Sequence, residues 1–394
     1  MGSLDDTRPL RIGVVGLGAV AQAVHLPLLA KHPDRFTIAA ICDLSPSTRD
    51  ALGARYRVPE PCRFASAGEL IDAGSLDAIA ILTSGSHGAL ATSAARAGLA
   101  VFCEKPLAYT LAEIDELEAV SPTLQLGYMK LYDPAVERAA SLLAERPAPR
   151  SIEVTVLHPP AGPQLAHAGL LPPPADVDPT VLARLVADEG AVAARAIGQV
   201  GGQLATLYTD VLLGSIVHDL AVIRALAGGP LEIDDGDAWA LDGAGGSVSL
   251  AGRMPGGTRV SIRWHYLEGY PAYREEVRVH DARGTVELSF QAPYLLHAPT
   301  TLTVVDADAE AERIATTRST VEAFERQWLA FDAFLRRGEE PRAGLAEGRE
   351  DVHVCQAAAR ALAAKLGETV GGEDADAAGT ARLHIVDRPV EASV

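Results

Sequence analysis

Cysteine is scarce and scattered: Cys42, Cys62, Cys103 and Cys355 are the only four in 394 residues. None belongs to a CxxC pair, which argues against a disulfide framework and a structural zinc site and suits a reducing, cytoplasmic compartment. Long apolar runs are missing too, and nothing approaches the ~18 consecutive apolar residues of a membrane span. The opening MGSLDDTRPL is acidic and lacks the apolar centre of a signal peptide. Positive charge is in deficit, with 34 Lys and Arg against 52 Asp and Glu and a formal net charge of −18. A chain this acidic repels a phosphate backbone and an anionic membrane surface, so no nucleic acid and no membrane are expected as partners. Hydrophobic residues, by contrast, make up 48%. At this length that supports two cores rather than one.

Residues 10–125 alternate short apolar runs (Arg11–Val15, Thr37–Cys42, Ala78–Leu82, Ala100–Cys103, Leu124–Leu126) with helix-like stretches such as Val20–Ala30 and Ala89–Ala97. Runs apolar throughout suit strands buried on both faces of a parallel sheet, and strand–helix alternation predicts a doubly wound α/β domain over residues 1–126. After residue 150 the pattern changes. Ile152–Leu157, Ser247–Ala251, Thr258–Tyr266, Glu276–His280, Thr285–Phe290 and Leu302–Val305 read as strands with Gly-bearing turns, which predicts an α/β domain over 127–370 built on an open, largely antiparallel sheet. An insertion at about 158–210, with Pro172-Pro173-Pro174 and an Ala-rich helical stretch, has the length of a functional lid. A last amphipathic helix over about Val321–Arg337 precedes a polar, Gly-rich tail, 371–394, expected to be loose. No internal repeat is visible.

Gly16-Leu17-Gly18-Ala19-Val20-Ala21 follows the strand RIGVV and opens a helical pattern. The glycines permit a tight turn and close backbone approach to a pyrophosphate at the positive end of a helix. Gly16, Gly18, Ala19 and Val20 are therefore candidate cofactor-binding positions. Asp43 ends the second strand, where a carboxylate can hold the ribose hydroxyls of NAD and repel the extra phosphate of NADP. Leu44 and Ser45 offer that phosphate no cation, so NAD is the expected cofactor and NADP the less favoured one, unless Arg49 or Arg63 swings over the ribose. Lys105, in Glu104-Lys105-Pro106 after the strand AVFC, is placed to exchange a proton with a substrate hydroxyl near the nucleotide crevice.

The stretches GLGAVAQAVHLPLL, TSGSHGALATSAARAGLAVFCEKPLA, LGYMKLYDPA and GSIVHDLAVIRAL occur in that order, followed by EAFERQWLAFDAFLRRGEEP. Together they resemble the Gfo/Idh/MocA family of glucose–fructose oxidoreductase, inositol dehydrogenase and relatives. The resemblance implies a Rossmann domain, dimers or tetramers formed through the open sheet, and NAD(H)-dependent hydride transfer to or from a polyhydroxylated small molecule such as a sugar, cyclitol, nucleoside or amino-sugar derivative. It implies that Lys105 acts on the substrate hydroxyl with Glu104 beside it, and that Pro106 shapes the loop. Ser84 and His87 match the loop that contacts the nicotinamide half, although the asparagine common there is absent. Tyr128, Lys130 and Tyr132 match positions lining the substrate cleft, and His218 matches the catalytic histidine.

One position departs from the family. Polyol dehydrogenases of this kind carry an Asp one helical turn before the histidine, and here that position is Gly214. Asp219 projects about a quarter-turn away from His218 on a regular helix and is a poor substitute. Tyr208 and Asp210, or His158, Gln164 and His167 of the insertion, are the candidates to fill the gap. The departure leaves two alternatives open: a net non-redox enzyme that oxidises its substrate only transiently, and a nucleotide or sugar sensor without turnover. No metal site is expected, since His158, His167 and His218 have no ligand spacing. Trp239 and Trp264 fall in strand-like segments and suggest core or interface packing rather than base stacking.

Overall fold

The computed structural model describes residues 8–241, 246–307 and 310–373. The five apolar runs become strands of a six-stranded sheet, whose two-residue β3 no run marks: β1 (Leu10–Val15), β2 (Phe36–Cys42), β3 (Arg63–Phe64), β4 (Ala78–Ile81), β5 (Ala100–Glu104) and β6 (Leu124–Gly127). The order is β3-β2-β1-β4-β5-β6 and every pair is parallel. Because side chains alternate across a strand, Ile12 and Val14 enter one core while Val15 enters another on the opposite face. Strand order reverses between β1 and β4, so the loops leaving β1, β4 and β5 converge at one crevice. This is the Rossmann arrangement, and the crevice is where such sheets bind ligands.

The second sheet has eight strands: β7 (Ser151–His158), β8 (Glu232–Trp239), β9 (Ser247–Arg253), β10 (Arg259–Tyr266), β11 (Arg274–Asp281), β12 (Gly284–Phe290), β13 (Thr301–Ala307) and β14 (Glu312–Arg318). Their order is β14-β13-β12-β11-β7-β10-β9-β8, antiparallel except for the central β7–β10 pair. Ile152, Val154 and Val156 of β7 point inward with Val260, Ile262, Val277 and Val279 of its neighbours. The outer face carries Glu153, Arg263, Arg278 and Glu287, with Arg278 paired to Glu287 at 2.7 Å. Strand β14 has no counterpart in the sequence pattern and β8 only the strand-like segment at Trp239, and both are edges of this sheet. Edge strands are kept polar against further pairing, so they lack the apolar alternation that reveals inner strands.

The helix Ala323–Arg337 leaves the second sheet and packs back on the first. Trp328, 1% exposed, stacks on Phe102 of β5 with ring centroids 4.2 Å apart. A further 22-residue helix, Leu345–Leu366, which no expected element covers, follows it and packs over β8. Its alanine-rich face meets Gly236 of β8, where an added Cβ would lie 3.1 Å from that of Ala361. The loose-tail expectation for 371–394 falls almost wholly outside the described residues. Its first three residues are tied down, Gly371 N–H to the Ile197 carbonyl and the Glu373 carboxylate to the Leu111 and Ala112 N–H groups. Among the described residues, no helix is long and apolar enough to cross a membrane.

Candidate active site

A cavity of about 580 Å³ lies where the crevice of the first sheet faces the end of the second. Gly18, Ala19 and Val20 line one end, at the start of the helical turns Ala21–His25. Gly16 holds φ +90°, and a Cβ there would stand 2.7 Å from the Thr83 N, so only glycine lets β1 turn this close to the β4 loop. Asp43 stands beside the turn rather than in the cavity wall, accepting the Leu17 N–H and the Ser45 N–H at 2.9 Å each. A glycine turn with a free helix start on one side and a carboxylate on the other fits a dinucleotide. Arg63 is engaged elsewhere, by the Val58 carbonyl and Asp50.

Lys105 reaches into the cavity, and its Nζ donates to the Gly214 carbonyl at 2.5 Å. Burial pulls the amine below the usual lysine range and Lys130 pulls the same way, while Glu104 opposes them. The Lys105–Pro106 peptide is cis. Glu104 does not pair with this amine; its Oε1 lies 3.1 Å from Nε2 of the buried His25. Trp328 Nε1–H, a donor only, points at Nδ1 of His25 at 3.1 Å. His25 must therefore carry its proton on Nε2 and donate it to Glu104. The chain Trp328–His25–Glu104 ties the helix Ala323–Arg337 to the loop that bears Lys105. His25 lies in the Gly-rich stretch and was overlooked as a site residue in the sequence.

His218 also lines the cavity, and its Nδ1 is buried with no hydrogen-bond partner. Burial, reinforced by Lys105 and Lys130, holds the imidazole well below its ordinary pKa, so it is neutral at physiological pH. Preceding it, Leu207–Ile216 is a π-helix, whose wider turns break the regular one-turn spacing assumed between Gly214 and His218. Asp219, judged a poor substitute, does reach the cavity; one of its oxygens is buried without a partner. Burial and the neighbouring Glu275 push its carboxyl well above the carboxylate range. Glu275, on β11, receives both its oxygens' bonds from Lys130 Nζ at 2.5 Å and a further one from the Tyr273 hydroxyl at 2.6 Å. No sequence motif marks Glu275 or Tyr273, because they come from the far sheet.

Other expected site residues separate into two groups. Ser84, Lys130, Asp210, His158 and Gln164 line the cavity, although the Lys130 amine is taken by Glu275. Trp264 lines it too, with its indole N–H on Ser215 at 2.9 Å. His87, Tyr128, Tyr132, Tyr208 and His167 are not in its wall. His87 is a buried brace, its ring nitrogens 2.7 and 2.9 Å from the carbonyls of Pro106 and Thr83. Tyr128 donates to the buried Asp351, and Tyr208 to the Tyr109 carbonyl at 2.6 Å. Tyr132 accepts the Arg342 N–H at 3.2 Å. These three tyrosines are buried and bonded inside the protein, outside the cavity wall. Trp239 is 43% exposed rather than core. Among the described residues, no group of three His, Cys, Asp or Glu is arranged to hold a metal.

Residues 10–128 match the Gfo/Idh/MocA model, described as an oxidoreductase family with an NAD-binding Rossmann fold. An inositol 2-dehydrogenase of Leifsonia xyli subsp. xyli is 35% identical over 136 residues, 33% of this chain and 39% of that protein. One from Corynebacterium glutamicum is 30% identical over 158 residues, 39% of this chain and 46% of that protein. The matches thus span less than half of these relatives. The myo-inositol 2-dehydrogenase of Lactobacillus plantarum superposes with TM-score 0.67 over 92% of this chain and 98% of that one, at 18% identity. A 3-ketoreductase of Actinomadura kijaniata, solved with TDP-benzene and NADP, gives TM-score 0.67 over 89% and 96% at 18% identity. At such identity these two structures share the fold.

Proposed function

We propose, from the match of residues 10–128 to the Gfo/Idh/MocA oxidoreductase model, that the chain is an NAD(H)-dependent oxidoreductase acting on a CH–OH group of a polyhydroxylated small molecule. The observation that carries this reading is the meeting of the Lys105 amine and two unpartnered polar atoms, His218 Nδ1 and an Asp219 oxygen, in one cavity that opens onto the glycine turn. A buried polar atom without a partner costs about 1–3 kcal/mol, and a hydroxylated ligand relieves two such costs here at once. Because the named relatives include inositol dehydrogenases, cyclitols and aldoses are the first substrates to try.

The nicotinamide, when bound, exchanges the hydride with the substrate carbon. Lys105, its proton affinity reduced by burial, takes the hydroxyl proton during oxidation and returns it during reduction. The neutral His218 imidazole holds the same hydroxyl through Nδ1. Asp219, carrying its own proton, donates to a neighbouring substrate oxygen, with Glu275 fixing its orientation. Asp210 and Gln164 are further polar groups of the wall, and the Trp264 and Tyr294 rings give C–H faces of the substrate apolar surface. We also place self-association on the second sheet, whose outer face is solvent-facing in the single chain.

Replacing Lys105 by Ala tests the assignment: turnover on an active polyol should fall by on the order of 10²–10⁴-fold while NADH binding persists. Near-normal turnover would remove Lys105 from the chemistry.

A further inference from the structure

Two carboxylates bracket Ser45. Its backbone N–H donates to Asp43 at 2.9 Å, and its hydroxyl donates to one oxygen of Asp176 at 2.6 Å. The other oxygen of Asp176 accepts the Ser47 N–H at 2.8 Å. Asp176 comes from the insertion, 131 residues from Ser45. The insertion reaches this corner as a strap pinned at two points. Upstream, the Leu171 N–H donates to the Gln22 side-chain oxygen at 2.9 Å, and the Gln22 amide donates onward to the Leu17 carbonyl of the glycine turn at 2.8 Å. Between the pins lies Pro172-Pro173-Pro174, a stiff run that extends at ~3.1 Å per residue and so spans ~15 Å from Leu171 to Asp176.

The donors that Asp176 occupies sit at the start of the ten-residue helix Pro46–Arg55. Amides at a helix start are the groups an anion seeks. NADP differs from NAD by a phosphate on the adenosine ribose, at the oxygen that the acidic residue ending the second strand contacts in NAD-binding sites. A phosphate carried beyond Asp43 faces the Ser45 hydroxyl and the Ser47 N–H. Arg49 waits at the same corner, its guanidinium held by the Asp43 and Leu44 carbonyls at 2.5 and 3.1 Å. Without Asp176 this corner has the makings of a 2′-phosphate seat.

We propose that Asp176 is a specificity-determining residue: the strap's carboxylate sits in the seat a 2′-phosphate requires and adds a second negative charge to that of Asp43, so the chain selects NAD. The inference rests on the dinucleotide reading of residues 16–43 and is independent of the substrate.

Dissociation constants for NADH and NADPH, measured by nicotinamide fluorescence on the wild type, Asp176→Ala, Asp176→Asn and Asp43→Ala, test it. The wild type should favour NADH. In both Asp176 variants the ratio of the NADPH constant to the NADH constant should fall tenfold or more, because Asn keeps the side-chain shape and an oxygen for the Ser47 N–H, turns its amide donor to the Ser45 hydroxyl, and removes the charge. An unchanged ratio in both, with a fallen ratio in Asp43→Ala, overturns the role of Asp176 and leaves the dinucleotide reading standing. Parallel weakening of both coenzymes makes Asp176 a strut and overturns the proposal. Equal affinities in the wild type overturn it as well, whereas a wild type that binds neither coenzyme overturns the dinucleotide reading itself.

Discussion

The Nζ of Lys105 and the carbonyl oxygen of Gly214 are 2.5 Å apart. The family resemblance leads one to expect an aspartate at 214. The chain offers a backbone oxygen there instead, from within a π-helix. A neutral carbonyl aims the amine but stabilises its charge far less than a carboxylate does, so burial dominates and the lysine gives up its proton at lower pH. Under the proposed mechanism, the missing aspartate favours Lys105 as a base.

Gly214→Asp should reverse this. A Cβ at 214 lies 3.1 Å from the Thr209 carbonyl, a tight fit that a small backbone adjustment accommodates. For oxidation, kcat/KM rises with pH as Lys105 loses its proton, with a midpoint below the ordinary lysine value of about 10.4. A carboxylate beside the amine should move that rising limb upward by about one pH unit or more. If the limb stays where the wild type has it, Lys105 is not the group that titrates.

Glu275→Gln removes the counter-charge of Lys130 in a place where Glu275 is fully buried and the lysine nearly so. Breaking such a pair from one side costs about 3–5 kcal/mol. Urea denaturation should show a loss of that order, and adding Lys130→Met should recover much of it. A double variant no more stable than Glu275→Gln alone would mean that Lys130 and Glu275 do not interact as a buried ion pair.

Trp328→Ala cuts the stack on Phe102 and the hydrogen bond to His25 together. Emptying a core site of this size costs about 3–5 kcal/mol. It also frees His25, and with it Glu104, so kcat should fall even at temperatures where the variant is folded. A loss under about 1 kcal/mol with unchanged kcat would show that the helix Ala323–Arg337 does not brace the Lys105 loop.

What could be read in the sequence was whatever a local pattern expresses. The glycine turn, Asp43, Glu104 and Lys105 each follow a wholly apolar strand, and the burial of those strands on both faces dictates both the pattern and the crevice they empty into. Inner strands of the second sheet were legible for the same reason, through alternation. Glu275 and Tyr273 were not, because their importance comes from tertiary contacts: Glu275 pairs with the distant Lys130, and Tyr273 donates to Glu275. Tyr128 and Tyr132 stand at family positions and Tyr208 was a candidate to fill the gap at Gly214, but all three are buried outside the cavity wall, where Asp351, the Arg342 N–H and the Tyr109 carbonyl compete for them. Nothing local reveals such a competitor. Asp219 keeps its quarter-turn offset from His218 within the regular helix Val217–Ala227, and that it lines the cavity follows from what packs around the helix, which no local pattern expresses.

The central claim is that this cavity passes a hydride between nicotinamide and a hydroxylated carbon under the control of Lys105. A single-turnover experiment addresses it: enzyme in excess over NAD, mixed with each of a panel of cyclitols, aldoses and nucleotide sugars, while the absorbance of reduced nicotinamide is followed. The account predicts that at least one member reduces the bound coenzyme, and that Lys105→Ala, with coenzyme affinity retained, slows that step at least a hundredfold. Reduction at the same rate in Lys105→Ala would contradict the role of the lysine. Tight NAD binding with no reduction by any member would contradict the oxidoreductase reading and point to a sensor.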